Sequence, residues 1–210
     1  MYFKTLLYSI ITCLLIPGTL ISQSFEKGNK VIGAGIKVSL YSVKAPDDDD
    51  NDGKGGAASY TVPIEFEYAV SNRIGVGAEI GICNYFTGKD TITGTIANAN
   101  SFDVLLNGNF HWVRGGRGDL YSGLGLGFSS FKYESNDFRD SKFSSTGTYL
   151  RLNLFNARFY VSKAIALGLH LGVPYMNFGN GRIEDNLGSD YGYALSFTGL
   201  DVGSGLSIRF

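Results

Sequence analysis

The last eleven residues of the chain alternate between apolar and small or polar side chains up to a terminal aromatic residue. This alternation predicts a β-strand with one apolar face, and eleven residues match the ~9–11 that a tilted strand needs to cross a bilayer. The opposite face lacks the several Lys and Glu residues typical of a water-facing strand, which predicts that it faces a confined space. The apolar face consists of Leu200, Val202, Leu206, Ile208 and Phe210, interrupted at Ser204, and the other of Asp201, Gly203, Gly205, Ser207 and Arg209.

The composition fits a chain built from such strands. Glycine accounts for 29 of 210 residues, about twice the average usage of roughly 7%, which counts against a helical protein and suits strands with a small inward face. The mean hydropathy of +0.03 is typical of a membrane barrel, in which apolar and polar residues cancel. The formal net charge of −1 gives no indication of a nucleic-acid partner.

The first 24 residues are predicted to be a secretory signal peptide, leaving 25–210 as the barrel. Lys4 precedes an apolar stretch from Thr5 to Ile16 that is too short to span a membrane as a helix. Small residues favour cleavage after Ser22 or Ser24. Removal of this segment would leave Cys83 as the one cysteine, so no intramolecular disulfide is predicted.

From Val31 onward the alternation recurs in eight segments, separated by long and short connections in turn. This order is typical of outer-membrane barrels, which have short turns at the periplasmic side and longer loops outside. Long polar loops are predicted at 44–58, 86–100, 132–145 and 174–190, and tight turns at 71–73, 114–118 and 162–163.

Over residues 31–210 this pattern resembles the small outer-membrane β-barrel family of the OmpX and OmpA type. The resemblance implies an all-β fold, an eight-stranded antiparallel up-and-down transmembrane β-barrel, with a porin-family label. It also implies the cell outer membrane of a Gram-negative-type envelope as the location and outer-membrane lipid as a partner. Leu206, Ile208 and Phe210 would then form a membrane-insertion signal that the barrel-insertion machinery reads.

A secreted soluble barrel such as a lipocalin is the structural alternative, since it also has eight strands but places its apolar residues inside. Here that arrangement would expose the glycine-rich faces to water and fill the lumen with aromatic side chains. The sequence therefore favours the membrane barrel.

Aromatic residues near the strand ends predict two girdles at the membrane interfaces. They are Tyr60, Phe102 and Tyr193 near the long loops, and Tyr68, Trp112, Tyr160 and Phe210 near the short turns.

Charged residues on the inward faces predict a polar network in the lumen. Four cations and five anions nearly cancel, and an eight-stranded barrel is just wide enough for its side chains to fill it. A closed lumen with internal ion pairs is therefore expected. The residues are Lys37, Arg151, Arg158 and Arg209, with Glu65, Glu67, Glu79, Asp103 and Asp201.

The tight turn at 71–73 sets Glu65 opposite Glu79. Alignment of the first two strands brings Lys37 near Glu65, which predicts one cluster that also contains Arg151 or Arg158. Arg158 faces inward only if a β-bulge near Leu154 to Asn156 shifts the alternation.

No catalytic or cofactor pattern stands out. The only histidines, His111 and His170, lie on predicted inward strand faces, where hydrogen bonding is the commoner role. No cysteine and histidine cluster has zinc spacing. The run from Asp48 to Gly53 resembles half of a calcium loop, but the twelfth position is Ser59 instead of Glu.

The sequence thus predicts a non-enzymatic barrel, without cofactor, that has a structural role or binds a surface partner through its four long loops. The alternatives are a narrow porin-like conduit for small or apolar solutes, and a lipid-modifying barrel enzyme.

Deleting Phe210 should impair membrane insertion, because the resemblance makes this residue part of the assembly signal. The measurement is the amount of folded, heat-modifiable protein in the outer membrane. Wild-type levels after the deletion would contradict the prediction.

Overall fold

The chain forms a closed barrel of eight antiparallel strands, which confirms the predicted fold class. The computed structural model describes residues 25–44, 54–86, 97–135, 142–184 and 190–210. Each strand pairs with the next, and the last pairs with the first, so the sheet has no open edge. The strands are β1 (Lys30–Lys44), β2 (Lys54–Ala69), β3 (Ile74–Tyr85), β4 (Ala97–Gly115), β5 (Gly118–Ser135), β6 (Lys142–Tyr160), β7 (Ile165–Glu184) and β8 (Asp190–Arg209).

The described residues include no helix with the length and apolar character needed to span a membrane.

Short and long connections alternate as predicted, and the short ones lie at the end of the barrel where β1 begins and β8 ends, here called the lower end. The β4–β5 turn is tight: Gly115 pairs with Gly118, and Gly116 adopts a φ of 56° that favours glycine. The predicted signal peptide and the Asp48–Gly53 run lie outside the described residues.

The four long loops are shorter than predicted, because strands continue into all of them. β7, for example, runs to Glu184, ten residues beyond the predicted start of the last loop at 174. These upper strand ends carry exposed polar residues such as Lys132 and Glu134 on their outer face. A strand above the membrane keeps its backbone hydrogen bonds but does not need apolar residues on its outer face. The change from apolar to polar outward residues therefore marks the membrane boundary and not the end of the strand.

The outer surface of the barrel is apolar over its middle, as a lipid-facing wall requires. Large exposed side chains occur at alternate positions on all strands, for example Ile80, Leu106 and Leu126. The soluble-barrel alternative, with its apolar residues inside, does not fit this surface.

Bulges in β6 and β4 adjust which residues face inward. Leu154 and Phe155 are both exposed, and the β6–β7 register shifts there, which confirms the predicted bulge and turns Arg158 inward. The same shift buries Tyr160, so the prediction that it belongs to the lower girdle is wrong. The other lower-girdle residues, Tyr68, Trp112 and Phe210, are exposed. The β4 bulge comes directly after His111.

At the upper girdle, Phe102 is exposed and Tyr60 packs its ring 5.7 Å from that of Phe86. Tyr193 was also predicted to belong to the upper girdle, but its side chain is outside the described part of the structure.

Gly127 permits a close approach between β4 and β5, since a Cβ atom there would overlap the backbone of Val104. Gly127→Ala should therefore lower the free energy of unfolding by about 1–3 kcal/mol, the usual cost of overpacking. Gly168→Ala is the matched control, because its Cβ would meet nothing closer than 3.7 Å. Urea unfolding in lipid vesicles measures both, and equal midpoints would contradict the prediction.

Candidate functional site

The lumen is the part of the barrel where chemically distinctive residues converge. From the upper end downward it contains an aromatic cluster, an upper ion cluster (Lys37, Glu65, Glu79, Arg151) and a lower ion cluster (Glu67, His111, Asp119, Arg158). The inward half of the strand alternation supplies all three.

The upper ion cluster joins three strands and the opposite wall. Glu65 pairs with Glu79 across β2 and β3, which confirms the predicted register. Lys37 Nζ lies 2.9 Å from Oε1 of both carboxylates. Arg151 donates to both oxygens of Glu79, with Nη1 at 2.7 Å from Oε1. Two cations thus compensate two carboxylates that would otherwise repel each other.

Arg151 is also held by Asn153, two residues further along β6, because its Nε donates to Asn153 Oδ1 at 2.9 Å. A guanidinium that is fixed at Nε and bidentate toward a carboxylate has little conformational freedom left. The cluster therefore forms a rigid link across the lumen between β3 and β6.

The lower ion cluster is arranged around His111. Its Nδ1 lies 2.7 Å from Asp119 Oδ1 and its Nε2 3.2 Å from Glu67 Oε1. Ionised carboxylates only accept, so an imidazolium, which donates at both nitrogens, fits this geometry. Arg158 Nη1 lies 2.6 Å from Glu67 Oε2, as an ion pair without hydrogen-bond geometry. Asn109 Nδ2 also donates to Glu67, at 2.6 Å.

Three residues of the predicted network are not brought into these clusters. Asp103 accepts a hydrogen bond from Ser129 at 2.6 Å, and Asp201 contacts His170 Nε2 at 3.1 Å. Arg209 lies near the lower end, where it donates to the Lys163 carbonyl at 2.5 Å and its guanidinium lies 4.7 Å from the centre of the Tyr160 ring.

Sequence reasoning missed Asp119, the anion that orients His111. The fifth strand was predicted from Leu120, but β5 begins at Gly118. Extending the alternation by one residue would have placed Asp119 on the inward face beside Tyr121.

The aromatic cluster fills the upper lumen, which the sequence did not predict. Phe178 and Phe197 are 0% and 3% exposed, and their rings meet edge to face at 5.7 Å. Phe143 and Phe178 lie within the predicted loops 132–145 and 174–190, so their inward direction could not be read without the strand extensions. The cluster contains Tyr41, Cys83, Tyr85, Leu105, Phe131, Phe143, Tyr149, Met176, Phe178 and Phe197.

Within the described ranges, no group of three or more histidine, cysteine, aspartate or glutamate side chains is arranged to hold a metal ion.

Neither a known protein-family profile nor a curated protein sequence matches the chain. Solved structures do. The chain is similar to the outer membrane protein OprG from Pseudomonas aeruginosa, with a TM-score of 0.61 at 13% identity over 89% of this chain and 98% of that one. It is also similar to the outer membrane protein AlkL, with a TM-score of 0.54 at 18% identity over 92% and 95%.

A third similar structure is OmpT from Escherichia coli, an outer membrane protease, with a TM-score of 0.50 at 11% identity over 91% of this chain and 99% of that one. Identities this low establish the fold and no more. With the lipid-facing exterior, they define the fold class: a small transmembrane β-barrel with the architecture of these outer-membrane proteins.

Lys37→Met should destabilise the barrel by about 3–5 kcal/mol, because it leaves Glu65 and Glu79 without their shared cation. The exposed Lys44 on the same strand is the matched control, and Lys44→Met should leave the unfolding midpoint nearly unchanged. Lys54, which the sequence placed in a loop, is the first residue of β2. Equal urea midpoints for the two variants in vesicles would show that the upper ion cluster adds no stability.

Proposed function

We propose that this protein is a closed outer-membrane barrel that acts through its surface, either as a structural element of the envelope or by binding a surface partner with its long loops. The observation that carries this proposal is the aromatic cluster, which fills the lumen at the upper ends of the strands. The surface regions are 44–58, 86–100, 132–145 and 174–190, each comprising a connection and its flanking strand ends.

The internal charges support a closed lumen over a transport path. Lys37, Arg151 and Arg158 are each bound to inward carboxylates at ion-pair distance. Buried side chains whose charges compensate each other link neighbouring strands. Their charged groups are already paired and do not bind a solute that passes through the lumen.

The position of the histidines supports a non-enzymatic role. His111 and His170, the two histidines of the chain, contact carboxylates within the lumen, and the strand registers place both below the aromatic cluster. A substrate at the cell surface or in the surrounding lipid does not reach them there. OmpT shows that a similar barrel can be a protease, so this part of the proposal has its own test.

Single-channel recording in planar bilayers tests the closed lumen. The purified protein should give no stepwise conductance at any applied voltage. Reproducible open steps would overturn the closed-lumen proposal and favour the narrow porin-like conduit.

Mass spectrometry of lipid A, from cells with and without the gene, tests the non-enzymatic role against the lipid-modifying alternative. Identical lipid A profiles are expected. A species that appears only when the gene is present would assign a lipid-modifying activity instead.

A further inference from the structure

The lower end of the barrel carries a ring of basic side chains, and the short turns assign this end to the periplasmic side. The segment that leads into β1 and all three short connections, with their adjoining strand ends, contribute to it. Six cationic side chains there are exposed or half-buried, and none of the ion pairs of the described residues involves them. They are Lys27, Lys30, Arg73, Arg114, Arg117 and Lys163, here called the basic rim.

Carboxylates do not balance the basic rim. Within the described part of the lower end, Glu26 is the one exposed acidic side chain, so with the main-chain carboxylate of Phe210 two anions face six cations. Glu67 and Asp119 are buried in the lower ion cluster, where they are already paired. The whole chain has a formal net charge of −1, so the positive charge is concentrated at this end and is not a property of the composition.

Lys30 places the basic rim at the surface of the membrane. It is the first residue of β1 and has the outward direction of Ile32, two residues further along. It lies between two exposed aromatic residues: it is opposite Tyr68 on β2, and two main-chain hydrogen bonds of 3.0 and 2.9 Å join it to Phe210. Aromatic girdles lie at the level of the lipid headgroups, so the ammonium group of Lys30 lies at the depth of the lipid phosphates.

Lys27 and Arg73 are brought to the same part of the rim by the segment before β1. This segment is docked at two points, since the Phe25 ring stacks on His111 with 3.5 Å between centroids and Lys27 N donates to Asn72 Oδ1 at 2.9 Å. Asn72 directly precedes Arg73 in the β2–β3 turn. The start of β1 and this turn therefore present three cations in adjacent positions.

A phosphate headgroup with a net negative charge fits this surface. A guanidinium group binds two phosphate oxygens at once, and a lysine ammonium group acts as a point charge. Anionic lipids attract basic residues that lie next to a membrane span. The exposed aromatic rings on both sides of Lys30 favour a lipid over a dissolved anion, because rings at this level contact lipid as well as water.

We propose that the basic rim binds the headgroups of anionic phospholipids in the periplasmic leaflet, with Lys27, Lys30 and Arg73 as the principal contacts. This binding is independent of the surface role proposed above, because it uses the opposite end of the barrel.

Quenching of Trp112 fluorescence tests the lipid. Trp112 is the one tryptophan of the chain and is 62% exposed. It adjoins the rim, because the neighbouring His111 N donates to the Arg73 carbonyl at 2.8 Å. The barrel is inserted into phosphatidylcholine vesicles in which brominated phosphatidylglycerol or brominated phosphatidylcholine replaces part of the lipid. Phosphatidylglycerol should bind next to Trp112 at least about fivefold more strongly, the ratio that one contacting cation supplies.

The rim variant replaces three cations by glutamine and should abolish the preference for phosphatidylglycerol. Its substitutions are Lys27→Gln, Lys30→Gln and Arg73→Gln. The matched control removes the same charge from exposed residues of the upper strand ends and should keep the preference. Its substitutions are Lys44→Gln, Lys132→Gln and Lys142→Gln. Heat-modifiable migration verifies that each variant is folded.

Equal quenching by the two brominated lipids in the unmodified barrel would overturn the proposal without any variant. A preference that the folded rim variant retains would overturn it as well.

A second measurement separates lipid from an anionic cell-wall glycan. The barrel in detergent is sedimented with purified peptidoglycan and should remain in the supernatant. Sedimentation that the rim variant abolishes would assign the basic rim to the glycan and overturn lipid as its partner.

Discussion

The structure depends on the closure of one backbone ladder. A bilayer offers no water to satisfy exposed N–H and C=O groups, so a sheet can cross it only without edges. Here β1, the first strand, pairs with β8, the last strand, from Val31 opposite Arg209 to Lys44 opposite Ser196. This pairing closes the barrel. Once the ladder is closed, each side chain points either outward or into the lumen, and the strand period of two decides which.

Closure with eight strands also makes the lumen narrow, and this explains its contents. Charged groups inside cannot keep full hydration, so each needs a partner at short range. Glu79 meets both Lys37 and Arg151, and His111 lies between Glu67 and Asp119. Where the inward residues are aromatic, as at Phe178 and Phe197, ring packing fills the space instead.

The sequence predicted the features that depend on strand alternation alone. The strand number, the Glu65–Glu79 register and the bulge that turns Arg158 inward all derive from a period of two and one tight turn. The prediction from the sequence failed where the alternation of apolar and polar residues changes or ends. Polar outward residues above the membrane were interpreted as loops, which hid Phe143 and Phe178. Asp119 was missed because a hairpin turn gives no exact strand start. Contacts across the lumen, such as Phe25 on His111, depend on three-dimensional closure and leave no mark in local spacing.

The long upper strands place a single sheet in two solvents. β8 has 20 residues, whereas a tilted strand needs only ~9–11 to cross the hydrocarbon. In the membrane the barrel is apolar outside and charged inside. At the upper strand ends the arrangement inverts, with Lys132 and Glu134 outside and the rings of Phe131 and Phe143 within, as in an ordinary water-soluble protein. The upper rim thus has its own hydrophobic core, and its stability derives from water exclusion instead of from lipid, which lets the described upper strand ends keep their shape whatever lipid surrounds the barrel.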